Sequence, residues 1–247
     1  EAAAPPEHAL CPLPSALCPP PCTLYPVPCT LYPLMYQLAV LLSGSGSNLQ
    51  ALFEAEDAGT LGAQVALVVS DRPDAYGIQR ALARGVAVAH LPLSPTPRGP
   101  ARDLARAAWE QRLAAIVAAF TPDLVLLAGF MRILSPAFLE WFPNRVVNQH
   151  PALLPDDGGP SYTTSTGLLI PALRGAHVVR DALERGLPVT GCTIHRVTPR
   201  VDDGPVLARA EVPVRPDDSL ATLHERIKAE ERRLLVEVVR ALAAAKR

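Results

Sequence analysis

The chain has 247 residues, of which 49% are hydrophobic and 19% charged, and its net charge is −1. That is enough chain for one ordinary globular domain with a real core. The near-zero charge argues against a nucleic-acid binder held by phosphate contacts, and no apolar run approaches the roughly 18–20 residues of a membrane span.

The 27 prolines crowd the N-terminus, where Pro-Cys-Thr-Leu-Tyr-Pro occurs at Pro21–Pro26 and again at Pro28–Pro33. Such a density cannot sustain a helix or a sheet ladder, so residues 1–34 are expected to be extended or disordered. The segment lacks the basic and apolar regions of a secretory signal. Met35 follows at once. We expect it to be the natural start, with 1–34 a non-native leader and 35–247 a single domain; an intact mass that includes residues 1–34 in natively expressed protein would contradict this. Cys11, Cys18, Cys22 and Cys29 lie in the leader without a histidine pair at finger spacing. Only Cys192 remains downstream, which reads as a cytoplasmic protein.

Leu38–Leu42 is a continuous apolar run, as in a strand buried on both faces. Ser43-Gly-Ser-Gly-Ser-Asn48 follows, and Leu49–Phe53 opens a helix. Strand, glycine-rich turn and helix form a phosphate cradle, because glycines let the backbone approach an anion and the helix start favours negative charge. It is neither a Walker A loop nor a full dinucleotide fingerprint, and a tight turn without a ligand is the alternative.

Val65–Val69 reads as the next strand, Ile78–Arg84 as a helix stopped by Gly85, and Val86–His90 as a third strand. A proline-rich loop runs from Leu91 to Pro100. Arg102–Phe120 is a long amphipathic helix with Leu104, Ala108, Leu113 and Val117 on its apolar face. Leu124–Ala128 is a fourth strand, Ser135-Pro136 starts a short helix, and Val146–Asn148 is a fifth strand. Asp156–Pro171 is rich in Gly, Ser and Thr and reads as a flexible loop. A helix over His177–Arg185, strands over Val189–Val197 and Val206–Val214, and a long helix capped by Asp217-Asp218-Ser219 complete the chain. The alternation predicts an α/β fold, a mostly parallel doubly wound sheet flanked by helices with a Rossmann-like N-terminal half.

The chemistry gathers at Val146-Val147-Asn148-Gln149-His150-Pro151. Asn148 and His150 sit two apart, so on an extended chain they share a face at a strand end. Alone, the stretch also reads as a polar terminus with a satisfied histidine. Asp202-Asp203-Gly-Pro205 supplies carboxylates on a loop, which alone is a hydrophilic turn. A carboxylate near an imidazole favours its charged form, and an amide holds a developing oxyanion, which together suit acyl-type transfer. Cys192 and His195, inside an apolar strand, read as packing and structural residues. No metal-ligand spacing occurs.

In order and spacing these motifs resemble the folate-dependent phosphoribosylglycinamide formyltransferase family over about Leu38–Leu242. The resemblance is carried by Ser43–Asn48, Leu127-Ala-Gly-Phe-Met-Arg-Ile-Leu-Ser-Pro136, Asn148-Gln-His-Pro-Ala-Leu-Leu-Pro155, and Val189–His195 with Val201-Asp-Asp-Gly-Pro205. It implies a formyltransferase fold and transfer of a formyl group from 10-formyltetrahydrofolate, a co-substrate, to the amine of glycinamide ribonucleotide in purine biosynthesis. It implies that Asn148, His150 and Asp202 are catalytic, with Asp202 raising the His150 pKa. It implies that Gly46, Ser47, Asn48, Lys228 and Glu231 bind the nucleotide. Arg106, Met131, Arg132, Ile133, Leu134, Thr198, Pro199, Arg200 and Val201, with Asn148 and Asp202, are expected to contact the folate. The expected partners are these small molecules alone, without metal, nucleic acid or membrane, in a monomer or homodimer.

Two departures from the family pattern stand out. Asp156–Pro171 is inserted before Gly175-Ala-His177, beside the site. Gln149 replaces an apolar residue and is expected to point away from the site, where its amide needs a partner. Methionyl-tRNA formyltransferase would carry a further domain and a basic surface. Formyltetrahydrofolate hydrolase and a non-catalytic phosphate- or nucleotide-binding module remain as alternatives.

Overall fold

The computed structural model describes residues 35–93 and 98–246. The leader expected over 1–34 lies outside the described residues, as does part of the proline-rich loop after Leu91.

Five apolar runs form parallel strands: β1 (Tyr36–Leu42), β2 (Ala63–Ser70), β3 (Ala87–His90), β4 (Leu124–Leu127) and β5 (Val146–His150). The short β6 (Ser161–Thr163) and β7 (Leu169–Pro171) pair as a separate hairpin. Two antiparallel strands, β8 (Val189–Arg196) and β9 (Val206–Pro213), extend the main sheet. Among the described residues its order is β3-β2-β1-β4-β5-β8-β9. The winding reverses between β1 and β4, so a crevice opens at the carboxyl ends of these strands.

The helices are α1 (Ser47–Asp57), α2 (Tyr76–Ala83), α3 (Pro100–Ala118), α4 (Pro136–Trp141), α5 (Val178–Glu184) and α6 (Leu220–Lys246). Alternate strand residues separate into two cores. Leu38, Val40, Leu126, Val147 and Ile194 pack with Phe53 of α1 and with Ile227 and Leu235 of α6. Ala39, Leu41, Val125 and Val146 pack with Trp109, Leu113 and Val117 of α3 and Phe138 of α4. The buried stripe of α3 runs through Trp109, Leu113 and Val117. Leu104 is 73% exposed and Ala108 is also exposed, so the apolar face expected there is displaced.

Parity decides where the polar residues of β5 go. Val146 belongs to the α3/α4 side and Val147 to the α1/α6 side. Asn148 and His150 therefore share the face of Val146, while Gln149 turns to the face of Val147. The long α6 is started by a reciprocal pair. Ser219 Oγ accepts the Thr222 N–H at 3.2 Å, and Thr222 Oγ1 accepts the Ser219 N–H at 2.9 Å.

Asp156–Pro171 reads in sequence as a flexible loop, yet it contains the β6–β7 hairpin. Ile170 is buried. Glu211 on β9 accepts the Ser165 N–H at 2.6 Å, the Ser165 hydroxyl at 2.7 Å and the Tyr162 hydroxyl at 3.1 Å. Arg209 pairs with Asp156 and covers the Tyr162 ring. These contacts lie far apart in sequence, so local composition gives no sign of them.

Candidate active site

A cleft of about 720 Å³ opens along the carboxyl ends of β1, β4 and β5 and has the size of a small-molecule site. At one end, β1 runs through Ser43–Ser45 into α1. Gly46 precedes the helix at φ +68°, and no side chain caps α1. A Cβ on Gly46 would lie 2.6 Å from the Gly77 Cα, so glycine is required for space as well as for conformation. An uncapped helix start presents free N–H groups and the positive end of its dipole, which suits an anion. Arg80 Nε braces the loop by donating to the Ser45 carbonyl at 3.0 Å.

Asn48, Gln149 and Glu231 meet beside this loop. Asn48 Nδ2 donates to Gln149 Oε1. Gln149 thus finds its partner, but in the cleft wall rather than away from it. Glu231 is 2% exposed, and burial pushes its carboxyl up to about 7 against the pull of Lys228, Arg232 and Asn48. Asn48 Oδ1 and Glu231 Oε1 are buried acceptors without a donor among the described residues. Both fit a ligand that carries hydroxyl or amino hydrogens.

The segment after β4 adjoins this loop and lines the cleft too. Met131, Arg132, Ile133 and Leu134 line the cleft, as do Thr198, Pro199, Arg200, Val201 and Asp202. Met131 and Ile133 are 68% and 63% exposed, an apolar lip that fits a flat ring. Arg106, expected to touch the folate, is absent from the lining. Its Nε donates to Glu110 at 3.1 Å and its Nη2 to the Ile133 carbonyl. Glu110, buried one helical turn on, captures the guanidinium and holds it behind the segment.

Asn148, His150 and Asp202 line the same cleft. His150 Nδ1 lies 3.4 Å from Asp202 Oδ2, and its Nε2 donates to the Leu173 carbonyl at 2.8 Å. Burial pushes the His150 imidazole below its ordinary range, while Asp202 and the Leu173 carbonyl pull it upward. The sequence predicts that Asp202 raises this pKa; it does act in that direction, but burial outweighs it. Asp202 is held at φ +50°. Its Oδ2 accepts the Gly175 N–H at 3.0 Å and its carbonyl accepts Arg174 Nε at 3.0 Å. Gly204 lets this turn close on β8, since a Cβ there would lie 1.8 Å from the Arg196 carbonyl oxygen.

His195, read from the sequence as structural, is also in the cleft wall. It faces Asn148 in the β5–β8 register, with Asn148 Nδ2 3.3 Å from its Nε2. Its Nδ1 donates to the Arg196 carbonyl at 3.0 Å. Burial pushes this imidazole down as well, so the neutral ring offers Nε2 as an acceptor. One Asn148 N–H is thereby engaged and the other remains for a ligand oxygen. Parity offered a signal, because Cys192 and Ile194 lie in the α6 core and His195 must face the other way. Cys192 packs as expected, and burial raises its thiol to about 12.

The other expected residues, Gly46, Ser47, Asn48, Lys228 and Glu231, all line the cleft. Among the described residues no group of three or more His, Cys, Asp or Glu is placed to hold a metal ion, and no helix is long and apolar enough to cross a membrane.

Residues 36–239 match the model of the formyl transferase family. The phosphoribosylglycinamide formyltransferase of Mycobacterium tuberculosis is 44% identical over 207 residues, spanning 84% of this chain and 85% of the relative. That of Escherichia coli K12 is 37% identical, spanning 78% and 81%. The crystal structure of glycinamide ribonucleotide transformylase 1 from Symbiobacterium toebii superposes with a TM-score of 0.73 at 40% identity, covering 85% of this chain and 89% of that one.

Proposed function

Because the chain belongs to the formyl transferase family, among the phosphoribosylglycinamide formyltransferases, we propose that its cleft carries out direct formyl transfer between two bound substrates. The protein transfers a formyl group to glycinamide ribonucleotide in purine biosynthesis. The formyl donor is 10-formyltetrahydrofolate, and the reaction belongs to the cytoplasm.

One observation carries the residue assignment. Asn148, His150 and Asp202 line the same cleft as the uncapped helix start at Gly46 and the apolar lip of Met131 and Ile133. The α1 start receives the nucleotide phosphate through the backbone of Gly46, Ser47 and Asn48, with Lys228 adding charge. Glu231 accepts ribose hydroxyls. The folate ring lies along Met131–Leu134 and Thr198–Val201, and Arg106 shapes that wall from behind.

The substrate amine attacks the formyl carbon, and charge builds on the formyl oxygen. The free Asn148 N–H stabilises it, and a preorganised donor in a dry site is worth about 3 kcal/mol. The amine must then lose a proton and the folate nitrogen must gain one. His150 handles this proton at Nδ1, the nitrogen facing Asp202, because its Nε2 is engaged by Leu173. Holding both substrates in one cleft supplies the remaining advantage by fixing their approach.

Formyl transfer from a 10-formyl folate analogue to glycinamide ribonucleotide tests this, followed by the folate absorbance change. Turnover that needs the nucleotide and collapses in His150→Asn and Asp202→Asn supports it. Folate release without nucleotide would identify a hydrolase instead. Nucleotide binding without turnover would leave a binding module.

A further inference from the structure

The two substrate loops are joined by a buried carboxylate on a third segment. Asp71 follows β2 directly and its side chain is 1% exposed. The Ser43 hydroxyl donates to Asp71 Oδ1 at 2.6 Å, and Arg132 Nε donates to Asp71 Oδ2 at 2.6 Å. The Met131 N–H donates to Ser43 Oγ at 2.9 Å, and the Ser43 N–H donates to the Gly129 carbonyl at 3.1 Å. Met131 and Arg132 are chain neighbours, so Ser43, Asp71 and the Met131–Arg132 backbone close a ring. Ser43 begins the glycine-rich loop, and Arg132 lies in the segment after β4 that lines the same cleft.

We propose that Asp71 is a positioning residue that fixes the separation of the two substrate loops, and through it the approach of amine to formyl carbon. The ring ties together the carboxyl ends of β2, β1 and β4, which are adjacent in the sheet. Each ring atom has its partner: Ser43 Oγ both donates and accepts, and each Asp71 oxygen accepts from a different loop. Asparagine has nearly the same shape but one acceptor and one donor end. With its oxygen on Ser43, its amide nitrogen faces the Arg132 donor, and one side of the ring opens. Displacing either loop by about 1 Å is enough to cost roughly a hundredfold in rate.

The kinetic half of this inference rests on the formyl-transfer reading; a second readout does not. Asp71→Asn is expected to lower kcat by about tenfold or more while each KM stays within about threefold, since each loop still binds its own ligand. Amide hydrogen exchange is expected to quicken at Ser43–Ser47 and at Met131–Leu134 together. Ser43→Ala opens the ring from the other side, and adding it to Asp71→Asn should cost little more. It also serves as the reporter if Asp71→Asn does not fold. A kcat within twofold of wild type, or exchange that changes in one segment or neither, overturns the proposal. If the wild type itself transfers no formyl group, the functional reading falls and the exchange experiment still decides the role of Asp71.

Discussion

His195 Nε2 lies 3.3 Å from the Asn148 amide nitrogen across the β5–β8 ladder, while His195 Nδ1 is committed to the Arg196 carbonyl. The imidazole thus sets which end of the Asn148 amide faces it. A leucine there keeps the bulk and removes the acceptor, so the amide is free to turn its oxygen toward a developing oxyanion. We predict that His195→Leu lowers kcat by roughly 10- to 100-fold with little change in either KM. Steady-state kinetics decide this; an unchanged kcat would mean that something else holds the amide.

Glu231 links pH to stability with an unusual sign. Its carboxyl has an ordinary value of 4.5 and is pushed up to about 7 by burial. Between those values the folded chain holds more protons than the unfolded chain, so stability falls as pH rises through the window. The full effect is on the order of 3 kcal/mol and is complete above pH ~7. Glu231→Gln should therefore gain stability at pH 8 relative to wild type and little near pH 5, while its nucleotide KM rises. Urea midpoints at the two pH values check the sign, and a gain that is equal at both would contradict it.

Gly46→Ala should damage one substrate site selectively. The left-handed backbone costs a side chain about 1–2 kcal/mol, and the new Cβ would meet the Gly77 Cα at 2.6 Å. The loop must shift, carrying the α1 start with it. Nucleotide KM is expected to rise at least about tenfold while folate KM barely moves. Equal rises in both would show that the loop is not a nucleotide site.

The β6–β7 hairpin hangs on Glu211. Burial pushes that carboxyl up, but hydrogen bonds from Ser165 and Tyr162 outweigh it and hold the group low. A depressed carboxylate contributes stability above its unfolded pKa and loses it as pH falls through the folded value. Glu211→Ala should therefore speed limited proteolysis between Ser161 and Pro171 at neutral pH, with the difference from wild type shrinking in acid. A cleavage rate that ignores the substitution would place the anchor elsewhere.

Much of the fold was legible because its signals are local. The central strands β1, β2, β4 and the start of β5 are short apolar runs whose residues fill one core or the other by parity, and parity alone put Asn148 and His150 on one face. Gly46 was legible for the same reason, since a strand, a glycine turn and a helix follow without a gap. The resemblance then joined motifs that composition could not, including Asp202, which reaches His150 only because β8 folds back beside β5. Two features escaped. Arg106 is engaged by Glu110 and the Ile133 carbonyl, partners that spacing does not reveal. Leu104 and Ala108 keep helical periodicity but are exposed, because the buried stripe of α3 runs through Trp109, Leu113 and Val117.

The sequence by itself determined the order of elements, the faces of the strands and the residue types at the cleft, because backbone geometry and apolar periodicity act between near neighbours. Only the tertiary structure decided the partners. The Leu173 carbonyl on His150, His195 beside Asn148, Glu211 of β9 on the β6–β7 hairpin and Asp71 between the two loops are all contacts between segments distant in the chain. Hydrogen-bond partners and burial set the protonation and orientation of a side chain, and both exist only once the chain has closed on itself.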